Sequence, residues 1–401
     1  MKPLAGIRVL DLSRVLAGPW ATQLLADLGA EVIKVEKPVA GDDTRHWGPP
    51  WHEYDGERVA AYYLAANRGK LSVAIDFARP DGAALVRRMA ADADVLVENF
   101  KVGGLVKFGL DAASLRAAYP RLIYASITGF GQDGPYAERA GYDYIIQGMG
   151  GLMSLTGLPD GEPGGGPMRV GVAVADLFTG LYTSNAILAA LYRRAETGDG
   201  ATIDMALFDT QLAMLANQAS NALVSGRDPG RQGAGHPNIV PYQPFAASDQ
   251  PVIVAVGNDG QFRRFAAILG HPDWADDERF ATNAARVANR DTLVPVIERI
   301  FAGRTAAEWL PLLEQAGIPA GPINSVSQAL GDPQATHRGA RLSRGGGKLG
   351  EVPLVGSPIR LDGERQDADL PPPALGEHDD LLSEWCDAEE LERLRAAGIV
   401  G

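Results

Sequence analysis

Six residues, Gly129-Phe-Gly-Gln-Asp-Gly134, have the glycine spacing of a dinucleotide-binding loop, and they follow a strand-like run. Such a loop holds a pyrophosphate only where a helix opens directly after the glycines, because the helix N-terminus binds the phosphates. Here Pro135 and a polar, charged stretch follow, without an apolar helical face. The context therefore argues against an NAD site at these glycines.

Other common catalytic motifs fail in the same way. The sequence contains neither a Gly-x-x-x-x-Gly-Lys-Ser/Thr phosphate loop nor a Gly-x-Ser-x-Gly nucleophile elbow. Asp11 follows the first strand candidate, but Ser13 stands where an aspartyl phosphotransferase needs a second Asp. The histidines are scattered singly rather than at metal-ligand spacing: His46, His52, His236, His271, His337 and His378. We predict no metal.

One acidic residue, Asp176, opens a long helical segment that ends around Tyr192. The dipole and free amides of a helix N-terminus favour an ionised carboxylate, and a carboxylate nucleophile must be ionised at neutral pH. Asp is also among the residues preferred as helix caps. The residues alone leave both roles open.

The elements around these residues alternate as in an α/β sheet. Amphipathic segments at Ala21 to Leu28 and Asp81 to Ala93 separate the strand candidates, which predicts a mostly parallel sheet. The strand candidates are Ile7 to Leu12, Glu31 to Glu36, Leu71 to Asp76, Val95 to Asn99, Leu122 to Thr128 and Ala201 to Leu207.

Shifts to Gly/Pro-rich sequence near Ser225 and Ala340 bracket a second unit. Its strand and helix candidates predict a smaller α+β domain at 226–325, between linkers at 201–225 and 326–340. The large domain would begin with residues 1–200.

Composition and charge narrow the partners. The 401 residues carry a formal charge of −13, and residues 361–401 hold twelve acidic residues and three arginines, which argues against a nucleic-acid partner. Cys386 is the only cysteine, which favours a reducing compartment. The chain shows no signal-peptide pattern. Its most apolar helical stretch, Leu181 to Leu191, is shorter than the about 20 residues that span a bilayer. We expect a cytoplasmic protein without a membrane partner.

Eight segments, in their order and spacing, resemble the class III CoA-transferase family. They are Asp11-Leu-Ser-Arg-Val-Leu-Ala-Gly-Pro19, Leu28-Gly-Ala-Glu-Val-Ile-Lys-Val-Glu36, Gly41-Asp-Asp-Thr-Arg-His-Trp-Gly-Pro-Pro50, Asn67-Arg-Gly-Lys70, Val97-Glu-Asn-Phe100, Gly129-Phe-Gly-Gln-Asp-Gly-Pro135, Gly141-Tyr-Asp143 and Gly171-Val-Ala-Val-Ala-Asp-Leu-Phe-Thr-Gly180.

The resemblance implies that Asp176 is a nucleophile that forms an aspartyl anhydride and then an aspartyl-CoA thioester. It implies a Rossmann-like large domain to which residues 341–401 return, and an interlocked homodimer. Acyl-CoA would be the co-substrate and small carboxylic acids the other partners. Family CoA contacts correspond to Val15, Leu16, Lys37, Asn67, Lys70, Asn99, Phe100, Lys107 and Arg139. Leu16 and Lys107 depart from the Gln and Arg of a well-studied relative.

Three segments resemble the group within the family that moves CoA from succinyl-CoA to glutarate: Arg14 to Pro19, Gly41 to Pro50 and Gly235 to Gln243. A dicarboxylate needs a cation for its distal carboxylate, for which Arg45, Arg169 and His236 are candidates. Trp47 and Tyr142 are further candidates for the substrate site. A glycine-rich loop covers the aspartate in related enzymes, which suggests Gly233 to Gly235 as a lid; a plain interdomain turn is the alternative.

Two other functions stay open. Family racemases of 2-methylacyl-CoA share the aspartate but use His where this chain has Tyr142, and a tyrosine hydroxyl, with a usual pKa of about 10, is a poor proton acceptor at neutral pH. This favours transfer. A non-catalytic CoA-binding subunit would be expected to lack the nucleophile or the lid glycines, and both are present.

Overall fold

The computed structural model describes residues 2–401, which divide into two compact units. The first contains the residues up to Leu152, Val170–Ser220 and Pro333–Gly401; the second contains Met153–Arg169 and Asn221–Asp332. Residues 153–169 thus group with the second unit, whereas the sequence analysis placed them in the large domain. Residues 333–401 group with the first unit.

The strands are β1 Arg8–Asp11, β2 Glu31–Glu36, β3 Trp51–Tyr54, β4 Glu57–Ala60, β5 Lys70–Ala74, β6 Val95–Glu98, β7 Ile123–Thr128, β8 Ala201–Ala206, β9 Tyr242–Ala246, β10 Pro251–Ala255, β11 Ala320–Pro322, β12 Arg341–Arg344, β13 Val352–Val355, β14 Arg360–Leu361 and β15 Glu364–Arg365. The α-helices are α1 Ala17–Asp27, α2 Ala61–Leu64, α3 Pro80–Ala91, α4 Ala112–Ala118, α5 Asp143–Met149, α6 Leu152–Leu155, α7 Val174–Thr197, α8 Leu207–Met214, α9 Ala216–Ser225, α10 Asp259–Ile268, α11 Asn283–Ala288, α12 Arg290–Phe301, α13 Ala306–Gln315, α14 Val326–Gly331, α15 Pro333–His337 and α16 Ala388–Ala396.

A six-stranded sheet forms the centre of the first unit, in the order β5-β2-β1-β6-β7-β8. Every neighbouring pair in it is parallel. Alternate side chains of the four central strands, β2, β1, β6 and β7, enter two apolar cores; Leu10 and Ile33 lie in one, and Val9 and Val32 in the other. Burial on both faces explains the nearly continuous apolar runs of the strands. The sheet confirms the predicted α/β class.

Several buried charged side chains interrupt those apolar runs, towards the carboxyl ends of β1 and β2 and at the start of β5. Asp11, Lys34 and Lys70 are fully buried, and Glu36 is 3% exposed. Lys34 pairs with Asp42 at 3.0 Å, and Lys70 pairs with Asp11 at 3.0 Å. Buried charges persist only when they are paired and hydrogen-bonded, so these ion pairs hold β1, β2 and β5 in fixed positions relative to one another.

The second unit has its own core. Strands β9, β10 and β11 form an antiparallel sheet in the order β11-β10-β9, packed against helices through large aromatic side chains such as Phe245, Phe301 and Trp309. The indole of Trp309 stacks on Phe301 with 4.4 Å between ring centroids and donates to the Phe301 carbonyl.

Helix α7 is the long apolar helix of the chain, and by length and composition alone it could cross a membrane. The helix has 24 residues, so it is longer than the apolar stretch Leu181 to Leu191, which by itself is too short to span a bilayer. Only 39% of its most apolar window is buried, although one side packs closely on α1. Phe178, Leu181 and Tyr182 remain more than 40% exposed.

Candidate active site

A cavity of about 430 Å³, the main cavity, opens at the carboxyl ends of β1, β6 and β7. In parallel α/β sheets ligands bind at this edge, where neighbouring loops part. The cavity brings together seven residues that the sequence analysis had assigned to the site: Val15, Leu16, Asn99, Phe100, Arg139, Tyr142 and Asp176.

Asp176 lies in the first turn of α7, at its third residue. It is not the cap: the carboxylate of Asp143 accepts a hydrogen bond from the Ala175 amide at 2.9 Å and so satisfies the start of the helix from a neighbouring element. Gln147 in turn donates to Asp143 at 2.8 Å. Asp143 thus fixes the helix start, which leaves the Asp176 side chain to face the cavity.

Close packing of α7 on α1 sets the place of this turn. A Cβ on Gly180 would lie 2.7 Å from the Ala17 carbonyl oxygen, so only glycine allows the two helices to approach this far. Asp176 stands one turn before Gly180 on the same helical face. The nucleophile candidate is therefore held beside the start of α1, where Leu16 and Ala17 line the cavity.

The Asp176 carboxyl has a perturbed acidity. Burial and the charge of Asp143 raise its pKa to about 7. The helix N-terminus was expected to favour the ionised carboxylate, whereas burial and the like charge of Asp143 favour the protonated form. A carboxylate that is poorly solvated when ionised is a more reactive nucleophile.

Tyr62, on α2, was not predicted as a site residue. Burial, then the charges of Asp176 and Asp143, raise the pKa of its hydroxyl, which therefore stays protonated and able to donate. Its ring meets Trp47 edge to face, with centroids 5.2 Å apart. Trp47, a predicted substrate residue, is 45% exposed and is linked through Tyr62 to the surroundings of Asp176.

The glycine motif after β7 has a packing role. A Cβ on Gly129 would lie 2.5 Å from the Cα of Gly141, so two segments cross here in direct backbone contact. This crossing places Tyr142 and Asp143 beside β7, and the next helix, α5, begins only at Asp143. Close backbone approach thus explains Gly129, whereas Gly131 and Gly134 have left-handed φ values of +92° and +83° in more open surroundings.

Three predicted contact residues are buried among internal partners rather than directed into the cavity. Lys70 donates to Asp11, to the Pro19 carbonyl and to Asn67 at 2.9–3.0 Å. The Asn67 amide also donates to the Tyr63 carbonyl at 2.8 Å. Arg45 forms two hydrogen bonds with Glu36 at 2.7 and 2.8 Å. These three side chains are therefore engaged with internal partners, and none of them lines the cavity.

Other predicted cations lie elsewhere. Lys37 lines a second cavity of about 390 Å³, which shares Arg14 and Phe100 with the main cavity. Lys107 is exposed and lies over the Phe108 ring. Two cations that line the main cavity, Arg14 and Lys101, were not predicted as site residues from the sequence. Their position directly after β1 and β6 could have identified them, because loops at that edge carry ligands.

Four predicted residues belong to the second unit: Arg169, Gly233, Gly235 and His236. Gly233 has a left-handed φ of +59°. The His236 ring packs on Tyr242 at 5.2 Å, and Arg290 donates to the His236 carbonyl at 2.6 Å. Within the described residues, 2–401, no cluster of three or more His, Cys, Asp or Glu side chains could hold a metal ion.

Comparison with known proteins gives the same picture. The model of CoA-transferase family III matches residues 4–379. A succinate–glutarate CoA-transferase of Agrobacterium fabrum is 54% identical over 378 residues, which cover 94% of each chain. The human succinyl-CoA:glutarate CoA-transferase is 41% identical over 403 residues, covering 100% of this chain and 90% of the human protein.

Solved structures agree. A CAIB/BAIF family protein from Brucella suis superposes with a TM-score of 0.84 at 52% identity, over 97% of this chain and 99% of that one. Rv3272 from Mycobacterium tuberculosis superposes with a TM-score of 0.83 at 31% identity, over 95% and 99% of the two chains. With a family match over nearly its whole length, this chain belongs to CoA-transferase family III and is a CoA-transferase.

Proposed function

We propose that this enzyme moves CoA from succinyl-CoA to a small dicarboxylate, with glutarate as the expected acceptor, through covalent intermediates on Asp176. The names of the relatives from Agrobacterium fabrum and human support these acids. One observation carries the mechanism: within the described residues, Asp176 is the one carboxylate that lines the main cavity.

The proposed reaction uses the same carboxylate throughout. The Asp176 carboxylate attacks the thioester carbonyl, forming an anhydride and releasing CoA thiolate. The thiolate then attacks the Asp176 carbonyl, which leaves CoA on Asp176 as a thioester and frees the donor acid. The acceptor carboxylate attacks that thioester, and the released thiolate finally takes the acyl group from the second anhydride. Each step exchanges one carboxylate or thiolate for another, so no proton is consumed.

Cations around the cavity suit an anionic co-substrate. Arg14, Lys101 and Arg139 line it. The guanidinium of Arg14 lies 5.1 Å from the centre of the Phe100 ring, and these two residues also line the second cavity, beside Lys37. We assign the main cavity to the acyl and pantetheine part of CoA. We assign the second cavity to the phosphorylated nucleotide of CoA, which needs cations and a flat apolar wall.

Anhydride and thioester intermediates must be kept from water, which is the role that we propose for a lid at Gly233 to Gly235. The left-handed φ of Gly233 supports a loop that glycine makes possible.

We also propose that the enzyme works as an interlocked homodimer. Its support, besides the family resemblance, is the exposed apolar side of α7, with Phe178, Leu181 and Tyr182 each more than 40% exposed. An apolar helix face of this kind marks an interaction surface, and a second copy is the occupant that we assign to it. Sedimentation equilibrium should give twice the chain mass of 42.4 kDa. A monomer at micromolar concentration would contradict the assignment.

The covalent route is tested by mass spectrometry of protein quenched with acid after mixing with succinyl-CoA. We expect an adduct of the mass of CoA less one water on the peptide that contains Asp176, and we expect glutarate to discharge it as glutaryl-CoA. Incubation with free CoA alone is the control and should leave no adduct. Absence of an adduct, together with solvent deuterium entering a 2-methylacyl-CoA, would instead establish racemase chemistry.

A further inference from the structure

The loop between β1 and α1 contains a backbone conformation that its residue type disfavours. Val15 has a φ of +71°, in the left-handed region, where a β-branched side chain is a clear outlier. Val15 and the next residue, Leu16, both line the main cavity. The strained residue thus forms part of the wall against which we place CoA. Strain of this kind persists only where the surroundings fix it.

Four side chains hold the loop in place by hydrogen bonds to the backbone of Ser13, Arg14 and Val15. Gly18 lets the loop pack closely on the start of α1, because a Cβ there would lie 2.3 Å from the Ser13 side chain. The bonds join the Ser13 amide to Asp11 at 2.9 Å, the Ser13 carbonyl to Lys34 at 2.8 Å, the Arg14 amide to the Asn99 oxygen at 2.8 Å, the Arg14 carbonyl to the Asn99 nitrogen at 2.6 Å, and the Val15 amide to Asp42 at 3.2 Å.

Asn99 stands out among these partners because its side chain uses both its acceptor and a donor on one residue. Its amide grips the Arg14 peptide groups directly before Val15, across the crevice between β1 and β6. Asn99 is also partly exposed and uncharged, unlike the fully buried pair of Lys34 and Asp42. Two such hydrogen bonds contribute a free energy of the same order as the strain of one left-handed valine.

We propose that Asn99 is a positioning residue, which favours CoA binding by holding Val15 in its left-handed conformation rather than by contacting CoA itself. The proposal rests on the proposed function in one respect, the placement of CoA in the main cavity. It makes a demand that a direct contact does not: Asn99 should lose its importance once the residue at position 15 no longer resists the conformation. Glycine is that residue.

The test is a double-mutant cycle with Asn99→Ala and Val15→Gly, read by isothermal titration with free CoA. We expect Asn99→Ala to weaken CoA binding roughly tenfold in the wild-type background, the scale of a lost hydrogen-bonded pair, and by less than about twofold in the Val15→Gly background. Lys37→Ala is the matched control: Lys37 lines the second cavity without touching the loop, so its loss should be equal in both backgrounds.

Equal losses from Asn99→Ala in the two backgrounds would overturn the proposal and make Asn99 a direct CoA contact, and no loss in either would also overturn it. Thermal unfolding of each variant confirms that the titrated protein is folded. Because CoA binding is measured without turnover, a wild type that binds CoA but does not transfer it to glutarate would contradict the proposed acids and leave the cycle valid.

Discussion

Replacing Asp176 with Asn should lower the rate of CoA transfer by at least about 10⁴-fold, the scale on which removal of a nucleophile acts. An amide cannot form the anhydride, and within residues 2–401 the main cavity offers no second carboxylate to take over. Steady-state transfer from succinyl-CoA to glutarate measures the loss. Asp143→Asn is the matched control, because its amide oxygen can still accept from the Ala175 amide while the nucleophile remains.

The raised pKa of Asp176 adds a dependence on pH to the same experiment. In the wild type, kcat/KM should fall about tenfold per unit as pH drops below about 7, because the protonated carboxyl cannot attack. Asp143→Asn should move this fall in kcat/KM to lower pH, since one of the two causes of the raised pKa is removed.

A raised pKa of Asp176 in the folded state also means that stability is lost as pH rises through 7. Asp176→Asn should therefore unfold at a higher temperature than the wild type at pH 8, and the difference should shrink at pH 5. Transfer activity of Asp176→Asn within a hundredfold of the wild type would contradict the assignment of Asp176 as the nucleophile. A wild-type kcat/KM that stays flat from pH 5.5 to 8 would contradict it as well.

Lys70→Met should lower the free energy of unfolding by about 3–5 kcal/mol, the cost of breaking a buried ion pair by removing one partner. Lys70 is fully buried, and its ammonium makes three hydrogen bonds. Although burial raises the pKa of Asp11, the cations of Lys70 and Lys34 outweigh burial and hold it at about 2. Burial lowers the pKa of Lys70 to about 8, so both members of the pair are ionised at pH 7. Urea denaturation measures the change.

Two companion variants separate this structural role from a CoA contact. Lys37→Met, at an exposed lysine of the second cavity, should leave the free energy of unfolding within about 0.5 kcal/mol and weaken CoA binding. Lys70→Met combined with Asp11→Asn should be less destabilised than the sum of the single changes, because no unpaired charge remains. If Lys70→Met unfolds like the wild type but binds CoA tenfold more weakly, Lys70 contacts CoA directly.

Much of the fold followed from local pattern. The apolar run at Glu31 to Glu36 predicted β2 with its observed bounds, because a strand buried on both faces must be apolar along most of its length. Helix α1 begins at Ala17, four residues before the predicted start, since the first turn of a helix tolerates Pro19, which has no amide hydrogen to donate. Residues 153–169 carry no periodicity, so their grouping with the second unit could not be predicted.

The site was predictable where a motif meets a sheet edge and not where charge is buried. Asp176, Val15 and Tyr142 were predicted from family motifs, and the structure places all three around one cavity. Lys70 was predicted as a CoA contact from its place in a family segment, and Arg45 was predicted as a cation for the distal carboxylate of a dicarboxylate. Their true partners, Asp11 and Glu36, are 59 and 9 residues away in the chain, and only tertiary structure shows that the charges meet.

The contact at Gly180 has a consequence for redesign of this enzyme. The spacing between the nucleophile turn and the start of α1 is fixed by backbone atoms in van der Waals contact, so no rotamer change can alter it. The two helices therefore keep Asp176 at one distance from the start of α1, whichever acid is carried. New acyl specificity is therefore best sought by changing cavity-lining residues outside these two helices, while the helix pair is left as it is.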